Sequence, residues 1–120
     1  MSGERRRTDH ERRRAPRTAA TFAVKNATSG QVQLCQAEDI CPGGITIKRT
    51  KDASYKPRTP VALAFSLPGS PEVIAAEGVI TSDAPVGSFR RTGVSFIALR
   101  PEHRQAIAGF CRRAQRRGPR

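Results

Sequence analysis

The chain has 120 residues, is 37% apolar with no tryptophan, and sets 22 basic residues against 10 acidic ones for a net charge of +12. That length suits one modest core built from Val, Ile, Leu, Ala and Phe and is too short for two domains. No stretch approaches the ~18 apolar residues of a membrane span, no apolar run follows the charged start MSGERRRTDHERRR to make a secretory signal, and three cysteines without CxxC spacing suggest neither a disulfide framework nor a zinc site.

Charge is concentrated at the ends. Residues 1–17 carry seven Arg against Glu4, Asp9 and Glu11, a net +4, and residues 112–120 carry five Arg and no acid. The body between them is close to neutral, so the organisation read from composition is an Arg-rich arm over residues 1–18, a globular body over 19–114 and a basic tail over 115–120. Such tails attract phosphates, nucleic acid or acidic surfaces at long range. With Cys35, Cys41 and Cys111 as small apolar side chains in a reducing compartment, the cytoplasm is the expected location.

From residue 20 the pattern is period-two alternation punctuated by turn residues, the mark of successive strands. In 20-ATFAVKNA-27, Phe22 and Val24 share a face; TSG then turns the chain into 31-QVQLCQAE-38, where the alternation places Val32 and Leu34 inward and Gln31 and Gln33 outward. After 39-DICPGG-44 comes 45-ITIKRT-50, with Ile45 and Ile47 on one face. A polar loop follows over 51–60. The next strand, 61-VALAFSL-67, alternates cleanly through Val61, Leu63, Phe65 and Leu67, and PGSP ends it. Residues 72–83 read as a long strand with a bulge at Gly78, 84-APVGS-88 as a loop, and 89–99 as a strand with Val94 and Phe96 inward.

The period changes at Pro101, which suits a first helical turn, as does Glu102 beside the helix's positive end. Ile107, Phe110, Cys111 and Ala114 then form one apolar stripe of a helix over 101–117. Arg100 at the N-cap position is a poor cap. Six strands and a terminal helix predict a small antiparallel barrel, mainly β, whose closure removes exposed edges and whose helix covers one open end.

Catalysis finds little footing. His10 lies in the arm and His103 in the first helical turn, with a surface or packing role the expectation for His103, and there is no GxSxG, Walker-type loop or paired-carboxylate motif. Binding fares better. Arg13 and Arg17 are planar forks four residues apart, ahead of the first strand, with Arg12 and Arg14 beside them; such forks grip phosphate, pair with guanine O6/N7 or stack on a base. Asp39 accepts from a guanine N1–H and N2–H₂, Pro42 pre-sets a turn, and Gly43 and Gly44 permit positive φ and close backbone approach. Taken alone, DICPGG reads first as an ordinary strand-to-strand turn rich in Gly and Pro.

Together these motifs resemble the PilZ domain, a bacterial receptor for cyclic di-GMP. The residues that carry the resemblance are RxxxR as Arg13-Arg14-Ala15-Pro16-Arg17, the loop (D/N)xSxxG as Asp39-Ile40-Cys41-Pro42-Gly43-Gly44, and 93-GVSFIALRPEHRQAI-107 as the last strand running into its helix, over about residues 11–112. The resemblance implies a six-stranded barrel with a C-terminal helix and a ligand-sensing function, not an enzymatic one, with no cofactor or metal. It assigns Arg13 and Arg17, helped by Arg12 and Arg14, to phosphates and guanine edges of cyclic di-GMP, often an intercalated dimer, and Asp39, Cys41, Gly43 and Gly44 to the other guanine. Ligand binding then orders the arm and signals to an effector protein of motility, exopolysaccharide or secretion machinery, with no output domain of its own and no membrane insertion. Cys41 stands where the family has Ser, which weakens one hydrogen bond by about 0.5–1.5 kcal/mol. The alternatives are a degenerate PilZ-like interaction module that has lost the nucleotide, and nonspecific nucleic-acid attraction through the arginine ends.

Overall fold

The structure, a computed structural model, describes residues 17–50 and 54–116. In chain order the elements are β1 (Thr18–Ala19), β2 (Ala23–Thr28), β3 (Gln31–Cys41), β4 (Gly44–Thr50), β5 (Pro60–Phe65), β6 (Ile74–Val86), β7 (Phe89–Leu99) and α1 (Pro101–Arg116). The strands pair in the order β1-β3-β2-β5-β6-β7-β4, and a β3–β4 pairing closes the ring. Strands β2 to β7 therefore make the six-stranded antiparallel barrel that the alternation predicts, and β1 lies along the second half of β3.

Local chemistry explains the tight connections. Ser29 (φ 53°) and Gly30 (φ 81°) both take the left-handed region that a two-residue type I′ hairpin requires, and Gly30 does so without a Cβ penalty. Residues 84–88 are shorter as a loop than the composition suggests. β6 continues through Val86, β7 starts at Phe89, and only Gly87 (φ 62°) and Ser88 turn. Next to Gly78 the β6–β7 register shifts, as a bulge there predicts, and a Cβ on Gly78 would stand 2.4 Å from the Ser95 carbonyl oxygen.

The core runs along the barrel axis through Val24, Ile40, Ile45, Leu63, Phe65 and Ile80. At one end Ile107 and Cys111 of α1 join it, the stripe read from the helix period, with Phe110 and Ala106 packed alongside. His103 is buried, its Nδ1 accepting from the Ala75 N–H at 3.4 Å, so it packs the helix onto β6. Among the described residues no helix is long and apolar enough to cross a membrane.

In the first half of β3 the inward face is the opposite of the one its apolar residues predict. Val32 and Leu34 point outward, 65% and 75% exposed, while Cys35 and Ala37 are buried. Directly paired residues share a face, and Val24, fully buried, pairs with Cys35, which commits Gln33 and Gln31 to the inner side and Leu34 and Val32 to the outer. Strand 20–27 is also broken: residues 20–22 leave the ladder between β1 and β2, although Ala20 N–H still donates to the Glu38 carbonyl (3.1 Å) and Ala37 N–H to that of Phe22 (2.8 Å).

Candidate functional site

The two motifs singled out in the sequence meet on the outer face of β3. Thr18 and Ala19 pair with Ile40 and Asp39, and this short ladder delivers Arg17 to Asp39. Its Nη1 donates to Asp39 Oδ1 at 2.5 Å and to Thr46 Oγ1 at 3.3 Å. The Arg17 side chain is 50% exposed and that of Asp39 28%, so the pair faces solvent. Arg12, Arg13 and Arg14, the rest of the predicted arm site, lie outside the described residues.

DICPGG is a two-residue hairpin loop in which Cys41 pairs with Gly44 and Pro42-Gly43 turn. Neither glycine takes positive φ, contrary to the expectation for this loop. Pro42 holds φ near the value a type I turn needs at its first central position, so the second requires no left-handed residue. Gly44 has a different reason to be glycine: a Cβ there would lie 2.4 Å from the Val94 carbonyl oxygen of β7. Gly43 is open on its Cβ side, and its carbonyl accepts from Phe96 N–H at 2.9 Å. Arg104 of α1 donates to the Pro42 carbonyl at 3.4 Å, which ties the loop to the helix.

By alternation Cys41 shares the face of Asp39, yet it is only 8% exposed. Behind this segment Cys111 is within 3.6 Å of the Ile40 carbonyl, and burial pushes its thiol pKa up, an effect the Thr18 hydroxyl partly offsets.

A β-bulge between Ala37 and Asp39 interrupts β3 at the site. Neither Glu38 nor Asp39 is buried, whereas Ala37 and Ile40 on either side of them are. Glu38 has its own cations. Arg91 Nε of β7 donates to it at 2.7 Å and Lys48 Nζ of β4 stands 3.7 Å away. The Arg91 hydrogen bond is the chief reason the Glu38 carboxyl is held below its usual range. In turn Glu38, with a smaller contribution from Asp39, raises the Arg91 pKa. Sequence reasoning did not single out Glu38, Thr46, Lys48 or Arg91. The parity of β4 was a usable signal, since Thr46 and Lys48 alternate with the buried Ile45 and Ile47.

A second arginine–carboxylate cluster lies toward the Thr50 end of β4 and is buried. Asp83 of β6 accepts from Arg49 Nη2 (2.8 Å), Arg90 Nε (2.8 Å), the Thr92 hydroxyl (2.6 Å) and the Tyr55 N–H (2.9 Å). The Arg49 guanidinium also sits 3.7 Å from the centre of the Tyr55 ring. Burial alone would raise the Asp83 pKa, but these four donors outweigh it and the carboxyl is held low. Among the described residues no group of His, Cys, Asp and Glu could hold a metal ion.

A family model described as PilZ domain matches residues 11–113. No curated protein matches the chain. Among solved structures, the inhibitor of motility MotI/DgrA of Bacillus subtilis is similar at a TM-score of 0.78 and 21% identity, over 87% of this chain and 51% of that one. The chain thus spans about half of MotI. The PilZ domain of YcgR from Escherichia coli, solved with c-di-GMP, matches at 0.68 and 15% identity, over 88% of this chain and 93% of that domain. PlzA of Borreliella burgdorferi, in complex with c-di-GMP, matches at 0.64 and 8% identity, over all of this chain and 60% of that one. At these identities the likeness establishes the fold.

Proposed function

The chain belongs to the PilZ domain family, and from that premise we propose that it is a cytoplasmic receptor for cyclic di-GMP that passes its signal to a partner protein. The observation that carries this reading is the Arg17–Asp39 clasp, in which one residue from each motif stands on one exposed face. A guanidinium fork offers donors for guanine O6 and N7 or for phosphate, and a carboxylate accepts from N1–H and N2–H₂. In the free protein the two groups satisfy each other; the ligand takes over both.

Arg13, with Arg12 and Arg14, brings further guanidinium groups to the phosphates, and their engagement orders the arm ahead of β1 against the barrel. Fixing that segment costs ~1–2 kcal/mol per residue of backbone entropy, so several charge-assisted contacts are needed to offset it. The altered surface is what an effector reads. Gly43, Gly44 and Cys41 shape the loop under the base, and the ligand is one molecule or an intercalated dimer. The domain acts as a receptor and not as a catalyst.

Titration calorimetry of the full chain with cyclic di-GMP tests the reading. Saturable heat that Arg13→Ala, Arg17→Ala and Asp39→Ala each remove supports it, and no heat from the wild type at high protein concentration ends it. The burial of Cys41 favours a second reading, an interaction module that no longer needs the nucleotide. A partner retained equally with and without cyclic di-GMP marks that case.

A further inference from the structure

Beside the Arg17–Asp39 pair stands a second pair of the same chemistry. Glu38 holds Arg91 on the same outer face, one residue along β3, and the bulge is what makes this possible: regular alternation would send one of two successive acids inward. A small hollow of about 100 Å³ adjoins the pair, lined by Glu38, Lys48, Val86, Phe89 and Arg91. Phe89 is 47% exposed, and the Lys48 ammonium lies 5.0 Å from its ring centre. An aromatic ring at the surface beside an arginine fork and a carboxylate has the parts a purine needs.

We propose that Glu38, Arg91 and Phe89 form a second guanine subsite, with Glu38 accepting from N1–H and N2–H₂, Arg91 donating to O6 and N7, and Phe89 providing an apolar wall. The inference rests on the cyclic di-GMP reading above and extends it to residues outside both sequence motifs. Cyclic di-GMP is itself a molecule with two guanines, so two adjacent acid–arginine pairs match its composition. The guanine at the second subsite belongs either to the same ligand molecule or to a second copy. Lys48, paired with Glu38 in the free protein, is left to neutralise a neighbouring phosphate once the base engages the carboxylate.

Cyclic GMP–AMP separates base recognition from charge, because it keeps both phosphates and has one guanine. Adenine offers no N1–H, no N2–H₂ and no O6, so Glu38 loses both donors assigned to it and Arg91 keeps only N7. The full chain binds cyclic di-GMP about tenfold or more tighter than cyclic GMP–AMP if both subsites read guanine. Glu38→Gln and Arg91→Ala reduce that ratio to about two, the statistical value, whereas Lys25→Ala, which also removes one surface cation, preserves it. Arg91 is about half exposed, and thermal melts check that the variants remain folded. One ligand per chain in the wild type assigns the second guanine to the same molecule, and two assign it to another copy.

A wild-type ratio near two, or a large ratio unchanged in Glu38→Gln and Arg91→Ala, overturns the second subsite and leaves the receptor reading standing. A wild type that binds neither dinucleotide overturns both.

Discussion

The molecule builds two arginine–carboxylate clusters from the same residue types and uses them differently. Around Asp83 the charges are sealed: its side chain is 2% exposed, that of Arg49 is fully buried, and four donors converge on one carboxylate. Around Asp39 and Glu38 each carboxylate has one or two cations, partly hydrated, and both stand at a β-bulge. A buried charge that loses its partner is costly, so the first cluster resists opening and pins β4, β6, β7 and Tyr55 to one another. A hydrated pair contributes little to folding and exchanges partners cheaply. Satisfaction and burial, more than residue identity, separate a structural clamp from a surface that can take up an anion or a base.

Removing the centre of each cluster breaks the comparison most directly. Asp83→Ala leaves Arg49 buried without its counter-ion and costs about 3–5 kcal/mol of stability, read as a lowered midpoint in urea with an unchanged slope. Arg17→Ala removes an exposed pair worth about 0–1 kcal/mol, so its melting temperature stays close to that of the wild type. Its effect appears in ligand titration instead, where losing charge-assisted bonds worth about 1.5–3 kcal/mol weakens affinity roughly ten- to 150-fold. If Arg17→Ala destabilised the fold as much as Asp83→Ala, the distinction between clamp and surface would collapse.

Acid sharpens the same contrast with a smaller effect. Both Asp83 and Glu38 have folded pKa values below their unfolded ones. The unfolded chain therefore binds more protons as pH falls, and the stability these carboxylates contribute is complete above about pH 4–5 and lost at lower pH, through their depressed folded values. The buried Asp83 dominates that acid limb, and the exposed Glu38 adds a part that salt screens. Denaturant midpoints between pH 6 and 2 should fall with acid, flatten in Asp83→Asn, and change little in Glu38→Gln when measured at high salt.

Much of this arrangement was legible in the chain. Clean alternation in 61–67 and the 3.6-residue stripe through Ile107 and Cys111 translate into one face each, and both faces are buried. Strand β3 was ambiguous because it changes allegiance: Val32 and Leu34 are apolar on one face of its first half, Cys35 and Ala37 on the other face of its middle. Only pairing with Val24 across the hairpin resolves which face is the core, and that is a tertiary fact. The Arg17–Asp39 meeting was foreseeable from motif order. The Glu38–Arg91 pair was not, since it depends on a bulge and on a residue 53 positions away. The buried cluster left a trace, because Ile45, Ile47 and Arg49 share one parity. An arginine at an inward position of a strand implies a buried acid that composition alone cannot locate.

Cys41 belongs to neither cluster cleanly, which makes its conversion the finest test of where the ligand surface ends. It is two residues from Asp39 on the same side of β3 but nearly covered. If its sulfur lies in contact with the ligand loop's working face, Cys41→Ser supplies a stronger donor and acceptor there and tightens cyclic di-GMP binding by about threefold to tenfold, the equivalent of 0.5–1.5 kcal/mol. If the side chain belongs to the packed layer beneath, the new hydroxyl gains no ligand contact and its burial costs about 1–3 kcal/mol of stability unless a backbone carbonyl accepts from it. Calorimetry and a urea melt on the same variant separate the two. A gain in affinity at constant midpoint places Cys41 with the surface pairs, whereas a lowered midpoint at constant affinity places it with the interior and confines base recognition to Asp39, Glu38 and their arginines.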